Sequence, residues 1–150
     1  MKKLFIYYSY TGSGDLVSES FKSNGFDVRK VSEEKKMPKS FFWGMMVGGF
    51  RATAKKKGKL IDYNPDVSEY DEIVIGSPIW NARTTPTLNA ILEQIKFEGK
   101  KLSFVFYSGS GEGKKAEKKI KKLFPEANII FLKEPKKYKE ELEKLNILFK

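Results

Sequence analysis

Cysteine and histidine are both absent from the 150 residues of this chain. Without a thiol or an imidazole there is no disulfide, no cysteine nucleophile, no Cys/His zinc site, no iron–sulfur cluster and no Ser-His-Asp triad. Long apolar runs are missing too. The run after Met1-Lys2-Lys3 is short and ends in Ser9-Tyr10-Thr11-Gly12, so it reads as neither a signal peptide nor a transmembrane segment. Acidic residues are outnumbered, 19 Asp and Glu against 29 Lys and Arg, which leaves a formal charge of +10. The expectation is a cytoplasmic protein forming one domain over residues 1–150, long enough to bury a core without crosslinks.

The excess of positive charge comes from lysine clusters at Lys55 to Lys59, Lys114 to Lys122 and Lys133 to Lys139. A positive surface raises encounter rates with nucleic acid, anionic membranes or acidic proteins. Glu is interspersed along the predicted helices, as on an ordinary solvated helix face. No nucleic-acid motif or basic-aromatic face accompanies the lysines, so no specific nucleic-acid partner is expected.

The stretch Tyr8-Ser9-Tyr10-Thr11-Gly12-Ser13-Gly14 organises the chain. It follows the apolar run Leu4 to Tyr7 and precedes a helical pattern, Ser13 to about Asn24, with Val17 and Phe21 on one face and Gly25 as its stop. A strand, a tight loop and a helix in that order offer backbone N–H groups, the hydroxyls of Ser9, Thr11 and Ser13, and a positive helix end, together able to hold a phosphate. No lysine or arginine lies within the loop. That absence suggests a phosphate held by hydrogen bonds rather than by a point charge.

Further along, a strand is predicted over Phe26 to Val31 and a connection over Ser32 to Lys39. Phe41 to Phe50 then contains Phe41, Phe42, Trp43, Met45, Met46 and Phe50 with three glycines. On a helix its apolar residues share a broad face, as a core-packing second helix would; an aromatic flap or an interfacial foot backed by Lys55 to Lys59 is the alternative. Ile73 to Gly76 is a continuous apolar run of the kind found in a parallel strand covered on both faces. It leads into Ser77-Pro78-Ile79-Trp80-Asn81-Ala82-Arg83, whose Trp80 core packing explains poorly at such a turn, and then into a helix carrying Leu88, Ile91, Leu92 and Ile95. A strand over Leu102 to Tyr107 leads into Ser108-Gly109-Ser110-Gly111-Glu112-Gly113. Next come a Lys-rich helix with Ala116, Ile120, Leu123 and Phe124 on one stripe, a strand over Asn128 to Leu132, and a last helix from about Pro135 with Tyr138, Leu142, Leu145 and Phe149 on one face.

This alternation predicts an α/β domain with five parallel strands and right-handed crossovers. In such sheets ligands bind beyond the carboxyl ends of the strands where strand order reverses. Three loops can then converge on one pocket. The first would hold a phosphate, the second would supply Trp80 as a flat wall, and the third would supply glycine backbone that a planar ring can approach. Two other motifs are incomplete. Ser108 to Lys115 has Ser108 where a P-loop has its first Gly and Lys115 where it has its Ser or Thr. Gly12-Ser13-Gly14 with Val17, and Glu33 near the ribose position, is a partial dinucleotide fingerprint. The carboxylates Asp15, Asp71 and Glu112 could lie near the pocket rim, but helix starts favour acids, so capping is the default for Asp15 and Glu112.

Three stretches resemble the flavodoxin family: the hydroxyl-rich first loop, Tyr70-Asp71-Glu72-Ile73-Val74-Ile75-Gly76-Ser77-Pro78-Ile79-Trp80, and the Ser-Gly-Ser-Gly third loop. The resemblance implies a doubly wound five-stranded parallel sheet of order 2-1-3-4-5 in three α/β/α layers, with FMN as cofactor. By position, Ser9, Tyr10, Thr11, Gly12, Ser13 and Gly14 would surround the phosphate. Pro78, Ile79, Trp80, Asn81 and Ala82 would line one side of the isoalloxazine, and Ser108, Gly109, Ser110 and Gly111 would border its pyrimidine end. Gly14 departs from the family, which usually has Thr there, and no tyrosine follows Gly109 to stack on the ring; the other face would be open or covered by Trp43.

The resemblance implies an FMN-binding electron-transfer protein with no catalytic side chain, served by a redox partner protein or an NAD(P)H-linked reductase. An FMN-dependent NAD(P)H/quinone oxidoreductase using Arg83 to steer a second substrate is the alternative. A cofactor-free binding module using the lysine patches ranks last. The oligomeric state is not legible in the sequence.

Overall fold

The computed structural model describes residues 1–9, 12–33, 60–61 and 64–150. Five strands form a parallel sheet: β1 (Lys3–Tyr7), β2 (Asp27–Lys30), β5 (Glu72–Pro78), β6 (Lys101–Ser108) and β7 (Asn128–Lys133). Their spatial order is β2-β1-β5-β6-β7, which among the five is 2-1-3-4-5 as expected. β3 (Ser32–Glu33) and β4 (Leu60–Ile61) make a separate antiparallel pair that the apolar pattern does not signal. The aromatic segment 41–50 and Lys55 to Lys59 lie outside the described residues.

Side chains alternate across each strand, so the sheet has two apolar faces. On one, Leu4, Ile6, Ile73, Ile75, Phe104 and Phe106 meet Leu88 and Ile91 of α2 (Pro86–Gln94) and Ile120 of α3 (Lys114–Leu123). On the other, Phe5, Tyr7, Val74, Val105 and Tyr107 meet Val17 and Phe21 of α1 (Ser13–Ser23), with Leu145 and Leu148 of a 3-10 helix (Lys139–Leu148). This is the expected three-layer arrangement. Phe5 and Phe21 lie fully buried with their rings stacked 4.1 Å apart, and each such ring contributes about 1.5–3 kcal/mol by burial.

Local chemistry explains the helix ends. At the end of α1, Gly25 takes φ +83°, its N–H donates to the Lys22 carbonyl, and the Phe26 N–H reaches back to the Phe21 carbonyl at 3.1 Å. The Phe21 and Phe26 rings then meet edge to face at 4.9 Å, which completes a Schellman stop with its hydrophobic contact. α2 starts at Thr85, whose side chain accepts from the Leu88 N–H at 3.1 Å, with Pro86 in the first turn where no N–H is needed.

Two side-chain expectations change. Leu123 is 52% exposed, because α3 is covered only along Ala116 and Ile120 before the chain leaves at Phe124. The last element is a 3-10 helix, so the residues it turns inward follow a period of three. Leu142, Leu145 and Leu148 form that row, while Tyr138 precedes the helix and Phe149 follows it.

Candidate functional site

The first, second and third loops leave the carboxyl ends of β1, β5 and β6, which are neighbours in the sheet. Strand order reverses at β1, since β2 lies to one side of it and β5 to the other. Backbone bonds join the three loops at their bases. The Tyr8 N–H donates to the Gly76 carbonyl at 3.0 Å, and the Ile79 N–H donates to the Tyr107 carbonyl at 3.2 Å. The Tyr107 hydroxyl donates to the Tyr8 carbonyl across the gap.

Ser9 organises the first loop. Its hydroxyl oxygen accepts from the Gly12 N–H at 3.1 Å and from the Gly14 N–H at 3.0 Å, which uses both lone pairs and leaves its proton to donate. Gly12 stands at φ +94°, a left-handed position that suits glycine, and its carbonyl accepts from the Leu16 N–H in the first turn of α1. Gly14 is glycine for lack of room. A Cβ there would lie 2.6 Å from the Tyr107 hydroxyl and 2.8 Å from both Ser9 and Tyr7. The space where the family usually carries Thr is therefore filled by the Tyr107 hydroxyl. Tyr10 and Thr11 lie outside the described residues.

Charge gathers on the rim of this loop. The Asp15 carboxylate accepts from the Tyr7 hydroxyl at 2.8 Å and from Lys30 at 2.9 Å. Burial pushes the Asp15 carboxyl upward, but the hydrogen bonds from Lys30 and Tyr7 outweigh it and hold the group below the usual carboxylate range. Burial raises the Tyr7 phenol, with the contact to Asp15 adding to it, and burial raises that of Tyr107 well above the ordinary range. Both hydroxyls therefore stay protonated and serve as donors. The loop itself carries no cation, yet the Lys136 Nζ stands 3.3 Å from the point a Cβ on Gly12 would occupy.

The second loop is a tight two-residue turn. Trp80 and Arg83 exchange backbone bonds of 3.2 and 3.0 Å, and Asn81 and Ala82 between them sit at φ +53° and +60°. Both central residues in the left-handed region define a type I′ turn, which for alanine costs about 1–2 kcal/mol. The Ala82 carbonyl accepts from the Ala116 N–H at 2.9 Å, which ties the turn to α3. The Ser77 and Thr85 hydroxyls bond at 3.0 Å, bracing the other side.

Asn81 and Ala82 are exposed, Pro78 and Ile79 half-buried, and Trp80 only 7% exposed. The Trp80 ring meets that of Tyr8 edge to face at 6.0 Å. Packing against Tyr8 thus accounts for part of its position, contrary to the expectation that packing explains it poorly. Among the described residues the buried Arg83 Nε has no acceptor.

The third loop closes on itself. The Ser108 hydroxyl accepts from the Gly111 N–H at 3.0 Å and donates to the Glu112 carbonyl at 3.1 Å. Ser110 also donates to the Glu112 carbonyl, at 3.3 Å. Gly111 takes φ +78° beside the Lys133 side chain, while no described residue lies within 4 Å of a Cβ placed on Gly109.

Tyr107 and Lys136 are the site neighbours that sequence reasoning missed. Tyr107 had a signal, because strand alternation from Val105 places it on the α1 face at the loop end of β6. Lys136 had none, since only the fold brings it to Gly12. Among the described residues no cluster of carboxylates could hold a metal ion, and no helix is long and apolar enough to cross a membrane.

A doubly wound α/β domain with three loops at its switch point defines a class of proteins that bind phosphorylated ligands beyond their strand ends. Within that class the chain belongs to the flavodoxin family, whose pattern it matches over residues 51–146. Solved structures agree in fold. A flavoprotein of Lactobacillus acidophilus, in complex with FMN, superposes at a TM-score of 0.70 with 20% identity over 93% of this chain and 97% of the other. A candidate flavoprotein of Bacteroides uniformis gives 0.69 with 24% identity over 85% of each chain. Flavodoxin 1 of Bacillus cereus gives 0.55 with 14% identity over 99% of this chain and 95% of the other. No curated protein matches the chain in sequence.

Proposed function

We propose that this protein binds FMN in the three-loop pocket and serves as an electron carrier. The observation that carries the reading is the first loop, where a serine-centred turn, two glycines and the start of α1 form a pocket edge of the kind that holds a phosphate. Family membership and the FMN complex of the Lactobacillus protein support the choice of cofactor. The buried Arg83 Nε, without an acceptor among the described residues, also fits a ligand rich in acceptors.

When bound, FMN supplies the electron-accepting and electron-donating chemistry. The protein's own residues bind and orient. Ser9, Gly12, Ser13 and Gly14 would hold the phosphate. Pro78, Ile79, Trp80, Asn81 and Ala82 would flank one side of the ring system, and Ser108, Gly109, Ser110 and Gly111 its other end. Tyr7 and Tyr107, held protonated, keep the base of the pocket neutral. Electrons would pass to or from a redox partner protein or an NAD(P)H-linked reductase in the cytoplasm, with the whole chain acting as one domain.

The visible absorption spectrum of purified protein, with and without added FMN, tests this together with thermal unfolding. A retained flavin spectrum and a rise in Tm with FMN are expected, because a ligand that binds only the folded state stabilises it. Colourless protein whose melting is unmoved by FMN would refute the reading. The exposed turn residues Asn81 and Ala82 beside Arg83 favour one second reading, an NAD(P)H/quinone oxidoreductase in which Arg83 steers a second substrate. Steady NAD(P)H consumption with a quinone and no added reductase would select it over the carrier.

A further inference from the structure

The cation beside the first loop comes from the far end of the chain. Lys136 lies on the turn 134–138 between β7 and the 3-10 helix. The Glu134 N–H donates to the Ser108 carbonyl at 3.0 Å, fastening the turn to the end of β6. The Lys137 and Tyr138 N–H groups both donate to the Glu134 carbonyl, at 2.8 and 2.9 Å, which tightens the turn. Pro135 is buried, so the backbone that carries Lys136 is anchored on both sides.

From that anchor the Lys136 stem crosses Gly12. Its Cδ and Cε lie 3.7 Å, and its Nζ 3.3 Å, from the point a Cβ on Gly12 would occupy. The absence of a side chain at Gly12 makes this approach possible. Neighbouring lysines point elsewhere, since the Lys133 and Lys137 ammonium groups lie over the Tyr138 ring at 5.5 and 5.3 Å. Asp15, the carboxylate on the same rim, is engaged by Lys30 and Tyr7. Lys30 and Lys136 both act on the Asp15 carboxylate, which places the Lys136 charge on the rim of the first loop.

We propose that Lys136 is a phosphate-binding residue of this site, a point charge brought to the first loop from the far end of the same chain, which selects a phosphorylated flavin over its unphosphorylated form. The inference rests on the FMN reading above and sharpens it. A phosphate monoester carries between one and two negative charges at neutral pH, and hydrogen bonds alone leave that charge uncompensated. An ammonium at Gly12 compensates part of it where neutral N–H and O–H donors do the shaping. Selection between the two flavins then depends on salt, whereas ring binding does not.

The test is a fluorescence titration of the full-length apoprotein with FMN and with riboflavin, for wild type, Lys136→Gln and Lys136→Arg, at low and high salt. Lys136→Gln should weaken FMN binding on the order of tenfold, the worth of one charge-assisted hydrogen bond. Riboflavin binding should stay within about twofold, which also shows that the variant folds. Lys136→Arg should retain most of the FMN affinity, and high salt should narrow the gap between wild type and Lys136→Gln.

Unchanged FMN affinity in Lys136→Gln would overturn the proposal, as would an equal loss for both flavins, which marks a structural role. Wild type that binds neither flavin would instead bring down the FMN reading itself, and this assignment with it.

Discussion

The first and third loops share a vocabulary of serine and glycine but use it in opposite ways. In the first, Gly14 is glycine because Tyr107, Ser9 and Tyr7 leave no space for a Cβ. In the third, Gly109 has no described residue within 4 Å of a Cβ position, and the serine hydroxyls of Ser108 and Ser110 serve the loop's own backbone. One loop is built into the sheet by side chains from three directions. The other is a self-contained turn on the surface. A site that must fix a small charged group and still accept a large planar one gains from that division, because rigidity belongs where geometry is tight.

The largest break in the comparison comes from adding one methyl group to each loop. Gly14→Ala should cost up to about 3 kcal/mol, since the new Cβ meets the rigid Tyr7 and Tyr107 side chains, whereas Gly109→Ala should change stability by less than about 0.5 kcal/mol. Urea unfolding of both variants measures the difference. Equal effects would show that the first loop is no more constrained than the third.

Next in size, Tyr107→Phe should cost about 1–2 kcal/mol by removing the buried donor to the Tyr8 carbonyl. The double variant Gly14→Ala/Tyr107→Phe should recover part of that sum, because deleting the hydroxyl opens the space the methyl needs. Strict additivity would mean the two groups do not compete for the same volume.

In the second loop the expected sign is reversed. Ala82→Gly relieves a left-handed alanine and should stabilise by about 0.5–1 kcal/mol, net of the extra chain entropy of glycine. A destabilised Ala82→Gly would show that the turn relaxes away from φ +60° in solution.

The smallest effect concerns pH. The Asp15 carboxyl is held below its ordinary value in the folded state, so its contribution is present above the unfolded carboxylate pKa and is lost as pH falls through the folded one. Asp15→Asn should flatten the loss of stability between about pH 5 and pH 2, read from urea midpoints, and lower neutral-pH stability by the same small amount, under about 1 kcal/mol because the Lys30 pair is half-exposed.

Much of this molecule is legible in its sequence. Apolar runs at Leu4, Ile73, Leu102 and Ile129 mark strands because parallel strands are buried on both faces. Gly25 marks the end of α1 through its backbone freedom. The three loops are legible because each follows a strand directly. Pairings across the fold leave no local trace.

Lys136 reads as one lysine in a solvated cluster until β7 is laid beside β6, and β3 and β4 are two-residue strands too short to carry a period. Leu148 is missed for another reason, although Leu142 and Leu145 are placed on the inward face. Their spacing of three fits a 3-10 row, but Tyr138, Leu142, Leu145 and Phe149 fit an α-helical face equally well, and only packing decides between them.

That choice has a consequence for reach. A 3-10 helix rises about 2 Å per residue, so its ten residues span about 20 Å, where an α-helix of equal length would span about 15 Å. The stretched segment begins just after the turn bearing Lys136 and ends by placing the Phe149 ring edge-on to Phe21 at 5.1 Å. The carboxyl-terminal helix therefore acts as a strut, with one end set beside the turn that bears Lys136 and the other packed against the far end of α1.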